Sequence, residues 1–289
     1  MIAEPAELSA SLGALLDALA GQGLAAVHSR HPSGADEIIC DDAGAGDWPR
    51  FRAALEAHLP PADVLIADHV PLLPGLFVSD MDSTMIGQEC IDELADFAGL
   101  KPQIAAITER AMQGELDFEA ALRERVGLLA GLDESAIAQC LGERIRAMPG
   151  AKTLVATLKA RGCYTVLVTG GFHQFADPVA ELLGFERVVG NRLEVTGGTL
   201  TGELVGEITD SSVKQRVLRD EAALIGPGTI SLATGDGAND IPMIAAASYG
   251  IAYHAKPKAR AAADGWIDCG DLTDVLRLLG IPEAQWTFR

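Results

Sequence analysis

Two aspartates separated by one residue follow a short apolar segment in the first third of the chain. The segment LFVS (76–79) leads to Asp80, and Asp82 comes two positions later. If the alternation of a strand continued through them, both side chains would point to the same side. Buried carboxylates are costly unless a cation or a hydrogen-bond donor compensates them. The pair therefore indicates a site at which a positive partner offsets two acids.

Three further polar groups stand at the ends of predicted strands or at the start of a predicted helix. They are Thr169-Gly170-Gly171 after YTVLV, Lys214 in SSVKQRVL, and Asp236, Asn239 and Asp240 in GDGAND after TISLAT. Ligands of an open parallel sheet bind beyond the carboxyl ends of its strands, so we expect all these groups at one edge.

Magnesium is the cation that such an edge favours. The carboxylates that converge there are those of Asp80, Asp82, Asp236 and Asp240. Unpaired buried charge of this size is prohibitive without a cation. With oxygen ligands and neither His nor Cys nearby, the donor set favours Mg²⁺.

Each of these motifs also has a plainer interpretation. An Asp-x-Asp after a strand is more often a turn or a helix cap, and TGG or GDG alone is a glycine-rich bend. Lys214 in the first turn of a helix is most simply solvated. Their occurrence in this order, each at a strand end or helix start, favours the joint functional interpretation over the separate structural ones.

The elements that would position these residues alternate between strands and helices. Continuous apolar runs predict buried parallel strands at 76–80, 164–170, 229–236 and 249–253, and helical stretches separate them. This rhythm predicts a doubly wound α/β sheet, with a catalytic core of residues 73–86 and 149–289. Residues 87–148 are strongly helical and predict a cap inserted after the first core strand. LEVTGGTLTGEL (193–204) predicts a β-hairpin appended to the sheet.

Residues 1–72 predict a small α+β domain of their own. The order of elements is helix, strand, strand, helix, strand, and the prolines at 60–61 and 71–74 favour a boundary near 72.

The bulk composition excludes several classes of partner. A formal charge of −19 argues against nucleic acid and against an anionic membrane surface. The five cysteines are scattered without a CxxC pair, and the N-terminus is acidic where a signal peptide would be basic. We therefore expect a cytoplasmic protein whose partner is a small molecule. A homodimer is compatible with the sequence, which does not fix the oligomeric state.

The motifs together resemble those of the haloacid dehalogenase (HAD) superfamily of phosphotransferases. DMDST (80–84), TGG, Lys214 and GDGAND are similar to its four signature motifs. The resemblance runs from about Leu76 to Leu279. Within the superfamily, the cap segments IGQECIDELADFAG (86–99) and LRERV (122–126) resemble the phosphoserine phosphatase branch of the SerB type.

This resemblance implies a mechanism and a role for each residue. Asp80 would be the nucleophile that forms an aspartyl-phosphate, and Asp82 the general acid and base. The implied Mg²⁺ ligands are Asp80, Asp236 and the backbone carbonyl of Asp82. Thr169 and the N–H of Gly170, within the TGG motif that ends at Gly171, would hold the phosphoryl oxygens, and Lys214 would neutralise charge in the transition state. Asn239 would orient Lys214 or the phosphoryl group, and Asp240 would support the metal or Lys214. The branch often has Ser at the place of Thr169.

The resemblance also assigns a substrate pocket to the cap. Arg125 would bind the carboxylate of phosphoserine and Glu89 its ammonium group, with Phe118 and Met112 as walls. A plainer alternative is that Arg125 pairs with Glu124 or Glu119 on the surface. Two alternative functions remain for the whole chain. One is a phosphatase or phosphotransferase for another small metabolite, and the other is a catalytically silent regulatory protein.

The N-terminal segment lies outside the strong resemblance. Longer relatives of the SerB type carry ACT-like modules of βαββαβ order there. An accessory or dimerisation domain without a ligand is the interpretation that we favour, because no residue of the segment marks an effector pocket.

Overall fold

The computed structural model describes residues 1–2, 5–40, 44–112 and 115–288. In chain order, the strands are β1 (Val27–Arg30), β2 (Asp36–Ile39), β3 (Val64–Leu65), β4 (Leu76–Ser79), β5 (Tyr164–Phe172), β6 (Arg187–Asn191), β7 (Leu193–Thr196), β8 (Thr199–Leu204), β9 (Ser231–Gly235), β10 (Tyr249–Tyr253) and β11 (Gly265–Ile267). The α-helices are α1 (Pro5–Gly21), α2 (Trp48–His58), α3 (Cys90–Phe97), α4 (Lys101–Met112), α5 (Phe118–Gly127), α6 (Ser135–Arg144), α7 (Ala151–Ala160), α8 (His173–Leu183), α9 (Ser211–Ile225), α10 (Ile241–Ile244), α11 (Pro257–Ala262) and α12 (Thr273–Leu278). None of the helices in these ranges is long and apolar enough to cross a bilayer.

A seven-stranded sheet forms the centre of the molecule, in the order β3-β11-β10-β9-β4-β5-β6. All neighbours pair in parallel except β3, which is antiparallel to β11. The chain moves outward from β4 in one direction through β5 and β6, and in the other through β9, β10 and β11. The order therefore reverses at β4, and the predicted doubly wound parallel sheet is confirmed.

The strand β4 is buried on both faces because successive side chains enter different apolar clusters. Phe77 packs in one cluster with Leu167 and Leu232. Leu76 and Val78 pack in the other, on the opposite face. The period of two along a strand explains this division, and it explains why the sequence of β4 is continuously apolar.

The helices α3 to α6 form the cap, which two short paired segments join to the core. The N–H of Gly87 donates to the carbonyl of Arg146 at 3.1 Å, and that of Met148 to Met85 at 2.9 Å. The chain thus enters and leaves the cap side by side, next to the end of β4.

The hairpin of β7 and β8 differs from the expectation that it extends the central sheet. The two strands form a separate sheet, and residues 131–134 of the cap exchange backbone hydrogen bonds with Gly198 and Leu200. The turn itself is as predicted, with Gly197 and Gly198 both at positive φ. The alternation of residue types along the sequence predicts the hairpin, but it does not predict which surface of the protein the hairpin packs against.

The N-terminal residues continue the central sheet through β3. Met1 exchanges two backbone hydrogen bonds with Asp36 of β2, and Ile2 exchanges two with Asp63, next to β3. Residues 1–2 therefore lie between β2 and β3, where Ile2 forms an isolated bridge to Asp63. The helices and strands of this unit follow the order α1, β1, β2, α2, β3, as the sequence predicted. Whether this unit is a degenerate ACT-like module stays a prediction.

Trp266 of β11 contributes to the side-chain packing between the N-terminal unit and the core. It is 2% exposed, and the guanidinium groups of Arg52 and Arg260 both lie over its ring, at 4.7 and 4.3 Å from the ring centre. Arg52 of α2 also donates to the carbonyl of Ala261 at 2.9 Å. These contacts fix α2 against the end of α11.

Candidate active site

The acidic residues converge where β4 lies between β5 and β9. Asp80 follows β4 and is 4% exposed, and Asp236 follows β9 and is also buried. Ser79 pairs with Leu167 of β5 and with Thr234 of β9. The parallel register therefore brings both strand ends and the TGG segment to one edge, as the sequence analysis expected.

Lys214 is the buried cation of this edge. It is 1% exposed, and its Nζ lies 2.7 Å from Oδ1 of Asp80 and 2.8 Å from Oδ1 of Asp240. Asp210 caps the helix α9 and so fixes the turn that carries Lys214, by accepting from the N–H groups of Ser212 and Val213. Burial alone would lower the pKa of Lys214, but the two carboxylates together raise it above its usual value. The ammonium therefore stays charged.

Three buried carboxylates at this edge lie close enough to one another to hold a metal ion. One oxygen from each of Asp80, Asp236 and Asp240 lies within 4.8 Å of the others. Burial, and next the charge of Asp240, raise the pKa of Asp80, whereas Lys214 opposes the rise. This donor set of hard oxygens fits a divalent cation such as Mg²⁺, which would offset the clustered negative charge.

Asp240 also holds the loop that carries Asp236. Its Oδ2 accepts from the N–H groups of Asp236 and Gly237, at 3.2 and 3.0 Å. A Cβ at Gly235 would lie 2.5 Å from the Asp240 carboxyl carbon, so only glycine allows this approach. Close packing against Asp240 therefore explains why this motif has glycine at position 235.

Asp82 lies beside this cluster, in a turn and not on a continued strand. The N–H groups of Met85 and Ile86 both donate to the carbonyl of Met81, and Ser83 has a φ of 54°. The chain therefore coils directly after Asp80, and the expectation that strand periodicity orients Asp82 was wrong. The turn instead brings Oδ2 of Asp82 against Gly171, where an added Cβ would lie 2.9 Å away.

The environment of Asp82 keeps its carboxyl group partly protonated near neutral pH. Burial raises its pKa to about 7, and the charge of Glu89 adds to the rise. The backbone N–H of Cys90 donates to its Oδ1 at 3.3 Å and opposes the shift. A carboxyl group of this pKa can both donate and accept a proton at neutral pH.

The TGG segment (Thr169–Gly171), called the TGG loop below, lies within β5 where the pairing with β6 is irregular. Thr169 is 1% exposed, and its Oγ1 accepts from the N–H of Gly171 at 2.8 Å. From the cap, the ring of Phe118 comes within 3.4 Å of the position that a Cβ on Gly170 would take. Phe118 thus lies over the loop, and a side chain at Gly170 would press against it.

The cap brings Arg125 and Glu89 toward the same space. Arg125 is half-buried, its Nε donates to the Ala121 carbonyl at 3.3 Å, and the charges of Asp92 and Glu89 raise its pKa against the effect of burial. Glu89 is exposed and accepts from the Ser83 hydroxyl at 2.8 Å. Met112 ends α4, but its side chain lies outside the part of the chain that the structure describes.

The surface pairs that would have made Arg125 a solvated residue are made by other arginines. Glu119 pairs with Arg123 at 2.8 Å, and Glu124 pairs with Arg110 at 2.8 Å. Both acids of the plainer alternative are therefore engaged elsewhere.

Asn239 differs from the other motif residues in its surroundings. It is exposed, and its Oδ1 lies near Gly237, 2.4 Å from where a Cβ there would be. Within the described ranges, the Lys214 ammonium bonds to Asp80 and Asp240 and not to Asn239.

Sequence reasoning missed Ser83, Asp92 and Lys256 at this site. Ser83 combines its left-handed backbone with the contact to Glu89, and Lys256 lies with Nζ 3.6 Å from Oδ2 of Asp236. The only signal for Lys256 was the Lys-Pro pair before a helix, which by itself predicts a helix start.

A family comparison matches the part of the chain that carries the clustered aspartates and Lys214. The family described as haloacid dehalogenase-like hydrolase matches residues 77–245. This match covers more than half of the chain, and the chain belongs to that family.

Its relatives fall in the phosphoserine phosphatase branch. A phosphoserine phosphatase of Albidiferax ferrireducens is 44% identical over 70% of this chain and 88% of its own length. One of Streptomyces coelicolor is 46% identical over 73% of this chain, which spans about half (51%) of that longer protein. A solved structure of a probable phosphoserine phosphatase from Vibrio cholerae, unliganded, has a TM-score of 0.75 at 35% identity and covers 98% of this chain and 85% of that one. A phospho-aspartyl intermediate analogue of a phosphoserine phosphatase has a TM-score of 0.65 at 37% identity and covers 71% of this chain and 99% of that one. These comparisons confirm the resemblance seen in the motifs.

Proposed function

We propose that this protein hydrolyses O-phospho-L-serine to L-serine and phosphate, as the last step of serine biosynthesis in the cytoplasm. The observation that carries the proposal is the buried cluster of Asp80, Lys214 and Asp240, linked to the cap by Glu89, whose charge acts on both Asp82 and Arg125. We assign the cluster to the phosphate, and Arg125 and Glu89 to the amino-acid part of the substrate. The phosphoserine phosphatases among the relatives support the same substrate.

Asp80 would attack the phosphorus atom and form an aspartyl-phosphate. It is buried, and Lys214 at 2.7 Å holds its carboxylate in place. As phosphate approaches, the same ammonium can neutralise charge on the phosphoryl oxygens. Thr169 and the N–H of Gly170 would hold those oxygens from the loop side.

Asp82 would donate a proton to the leaving serine oxygen and then take one from the attacking water. A pKa of about 7 suits both steps, because the group is protonated often enough to act as an acid and ionised often enough to act as a base. Its closeness to Gly171 supports this role, because the TGG loop is the segment that would hold the phosphoryl group.

The residues that would hold Mg²⁺ are Asp80, Asp236 and the backbone carbonyl of Asp82. The ion supplies positive charge that screens the nucleophile from the phosphate dianion and polarises the phosphoryl oxygen. Asp240 is within reach of the same space but is bonded to Lys214 and to two backbone N–H groups, so we assign it to support.

The cap would select the amino-acid part of the substrate. Arg125 would bind its carboxylate and Glu89 its ammonium, and Phe118 would cover the pocket above Gly170. We assign Met112 to the same wall on the resemblance alone, and Asn239 to the exposed rim.

Release of phosphate from a panel of monoesters tests this function. We expect O-phospho-L-serine to have the highest kcat/KM, compared with sugar phosphates and p-nitrophenyl phosphate. EDTA should abolish turnover and added Mg²⁺ should restore it, with Asp80→Asn as the inactive reference. A preference for sugar phosphates would assign another metabolite, and absence of turnover at saturating Mg²⁺ would indicate a silent protein.

A further inference from the structure

The TGG loop is a bulge in the pairing between β5 and β6. Val168 pairs with Val189, and the next pair is Phe172 with Asn191. The chain therefore advances by more residues on β5 than on β6, and Thr169, Gly170 and Gly171 leave the ladder between these two pairs. A bulge of this kind turns backbone groups toward a ligand, but it also removes their ladder partners.

The side chain of Asn191 replaces one of these lost partners. Its Nδ2 donates to the carbonyl of Gly170 at 2.7 Å. Asn191 is 2% exposed, so its own amide group is shielded from water. The preceding residue must be small, because a Cβ on Gly190 would lie 3.1 Å from the Thr169 methyl group. The strand β6 thus runs tightly beneath the loop.

The oxygen of the same side-chain amide bonds to the segment just before α9, the helix that carries Lys214. The Oδ1 of Asn191 accepts from the N–H of Thr209 at 2.9 Å, and Thr209 is 3% exposed. The next residue, Asp210, is the N-cap of α9, and its carbonyl accepts from the N–H of Lys214 at 3.1 Å. The planar side-chain amide of Asn191 therefore connects the TGG loop to the start of the helix that carries Lys214.

We propose that Asn191 is a positioning residue that fixes the spacing between the TGG loop and Lys214. The inference rests on the phosphomonoesterase function proposed above, since both groups would contact the same phosphoryl oxygens. Only a side chain with a donor and an acceptor on one plane meets the Gly170 carbonyl and the Thr209 N–H together. Misplacement of such groups by about 1 Å can cost ~10²-fold in rate.

Asn191→Asp is the sharpest test, because it keeps the shape and the acceptor but loses the donor. The ionised carboxylate would oppose the Gly170 carbonyl, whereas a protonated carboxyl group could donate to it again. We expect kcat on p-nitrophenyl phosphate to fall ~10²-fold at neutral pH, the scale of a misplaced reacting group. We also expect the ratio of variant to wild-type kcat to rise as the pH falls, because protonation restores the donor.

Gln174→Glu is the matched control. Gln174 makes the same pair of bonds, to the carbonyl and N–H of Leu193, at 2.8 and 3.2 Å. These bonds hold the start of the β7–β8 hairpin and not the loop. We expect its kcat to stay within about threefold of wild type even if its melting temperature falls, as for a change away from the reacting groups.

The affinity of orthovanadate in the presence of Mg²⁺ provides a readout that needs no turnover. We expect Asn191→Asp to weaken it at least ~10-fold while the affinity for Mg²⁺ alone changes little, because the proposed metal ligands lie on other strands. If this variant does not fold, Asn191→Ala replaces it with the same expected losses.

Two outcomes would overturn the role of Asn191. One is a folded Asn191 variant with wild-type kcat and vanadate affinity. The other is an equal loss in Gln174→Glu, which would make both residues structural. Failure of the phosphoserine assignment is a separate result, because it would appear as a poor kcat/KM on phosphoserine in the wild type.

Discussion

Replacement of Arg125 by alanine separates selectivity for phosphoserine from phosphatase chemistry in general. The guanidinium is half-buried and uses its Nε on a backbone carbonyl of its own helix. Burial lowers the pKa of Arg125, and the charges of Asp92 and Glu89 oppose that change. The group therefore stays charged, since arginine does not deprotonate in proteins. It can offer its two Nη groups to a carboxylate.

The expected loss follows from the bonds that alanine cannot make. A hydrogen bond to a charged group contributes ~1.5–3 kcal/mol, and a paired set at a half-buried site should be worth about 3 kcal/mol after solvent screening. That free energy corresponds to a fall of ~10²-fold in kcat/KM for phosphoserine. Alanine also leaves Asp92 and Glu89 to repel the substrate carboxylate, which acts in the same direction.

The assay compares two substrates in one preparation, with Arg123→Ala as the matched control. p-Nitrophenyl phosphate has no carboxylate, so its kcat/KM should change little in Arg125→Ala. Arg123 is on the same helix but is exposed and paired with Glu119, and such pairs contribute ~1 kcal/mol or less. Equal losses on both substrates in Arg125→Ala, or the same selective loss in Arg123→Ala, would refute the assignment.

Three further perturbations test other parts of the molecule. Asp82→Asn should lower the single-turnover rate by ~10²–10⁴-fold with little change in Mg²⁺ affinity; collapse of metal binding with intact chemistry would contradict its role. A truncated chain that starts at Leu73 should keep turnover per folded molecule but melt at a lower temperature, because it uncovers Trp266; a folded but inactive fragment would show that residues 1–72 complete the site. Burial and a hydrogen bond to Asp63 raise the pKa of Asp274 to about 6, so its stabilisation is full below the unfolded pKa of about 4 and is lost as the pH rises through 6. Urea titrations should show that Asp274→Asn removes up to roughly 3 kcal/mol of this pH dependence, and an unchanged slope would exclude the pair as its source.

The position of the candidate site was predictable because Asp80 and Asp236 directly follow strands. One continuous apolar run ends just before Asp80 and another just before Asp236. Each run predicts a strand, and the aspartate after it marks where that strand ends. Parallel pairing then brings such ends together without further information. The structure accordingly joins Asp80, Asp236, Asp240 and Lys214 in one cluster.

Other features could not be predicted because they depend on contacts distant in sequence. The strand β6 is partly exposed and ends in polar residues, so its periodicity is weak. The turn at Asp82 depends on a serine at positive φ, for which the sequence has no glycine as a signal. The pairing of β3 with β11 joins residues about 200 positions apart, and no local pattern encodes such a partner.

The net negative charge of the chain fits an anionic substrate only if the site carries its own cations. The clustered carboxylates of Asp80, Asp236 and Asp240 have the buried ammonium of Lys214 and the exposed ammonium of Lys256 beside them, so the cluster keeps a net negative charge. A divalent ion held there would offset that charge and reduce the repulsion between Asp80 and a phosphate dianion. Arg125 plays the corresponding part on the cap, where Asp92 and Glu89 would otherwise exclude a carboxylate. Both halves of the proposed site therefore follow one design, in which acids position a cation and the cation admits the anion.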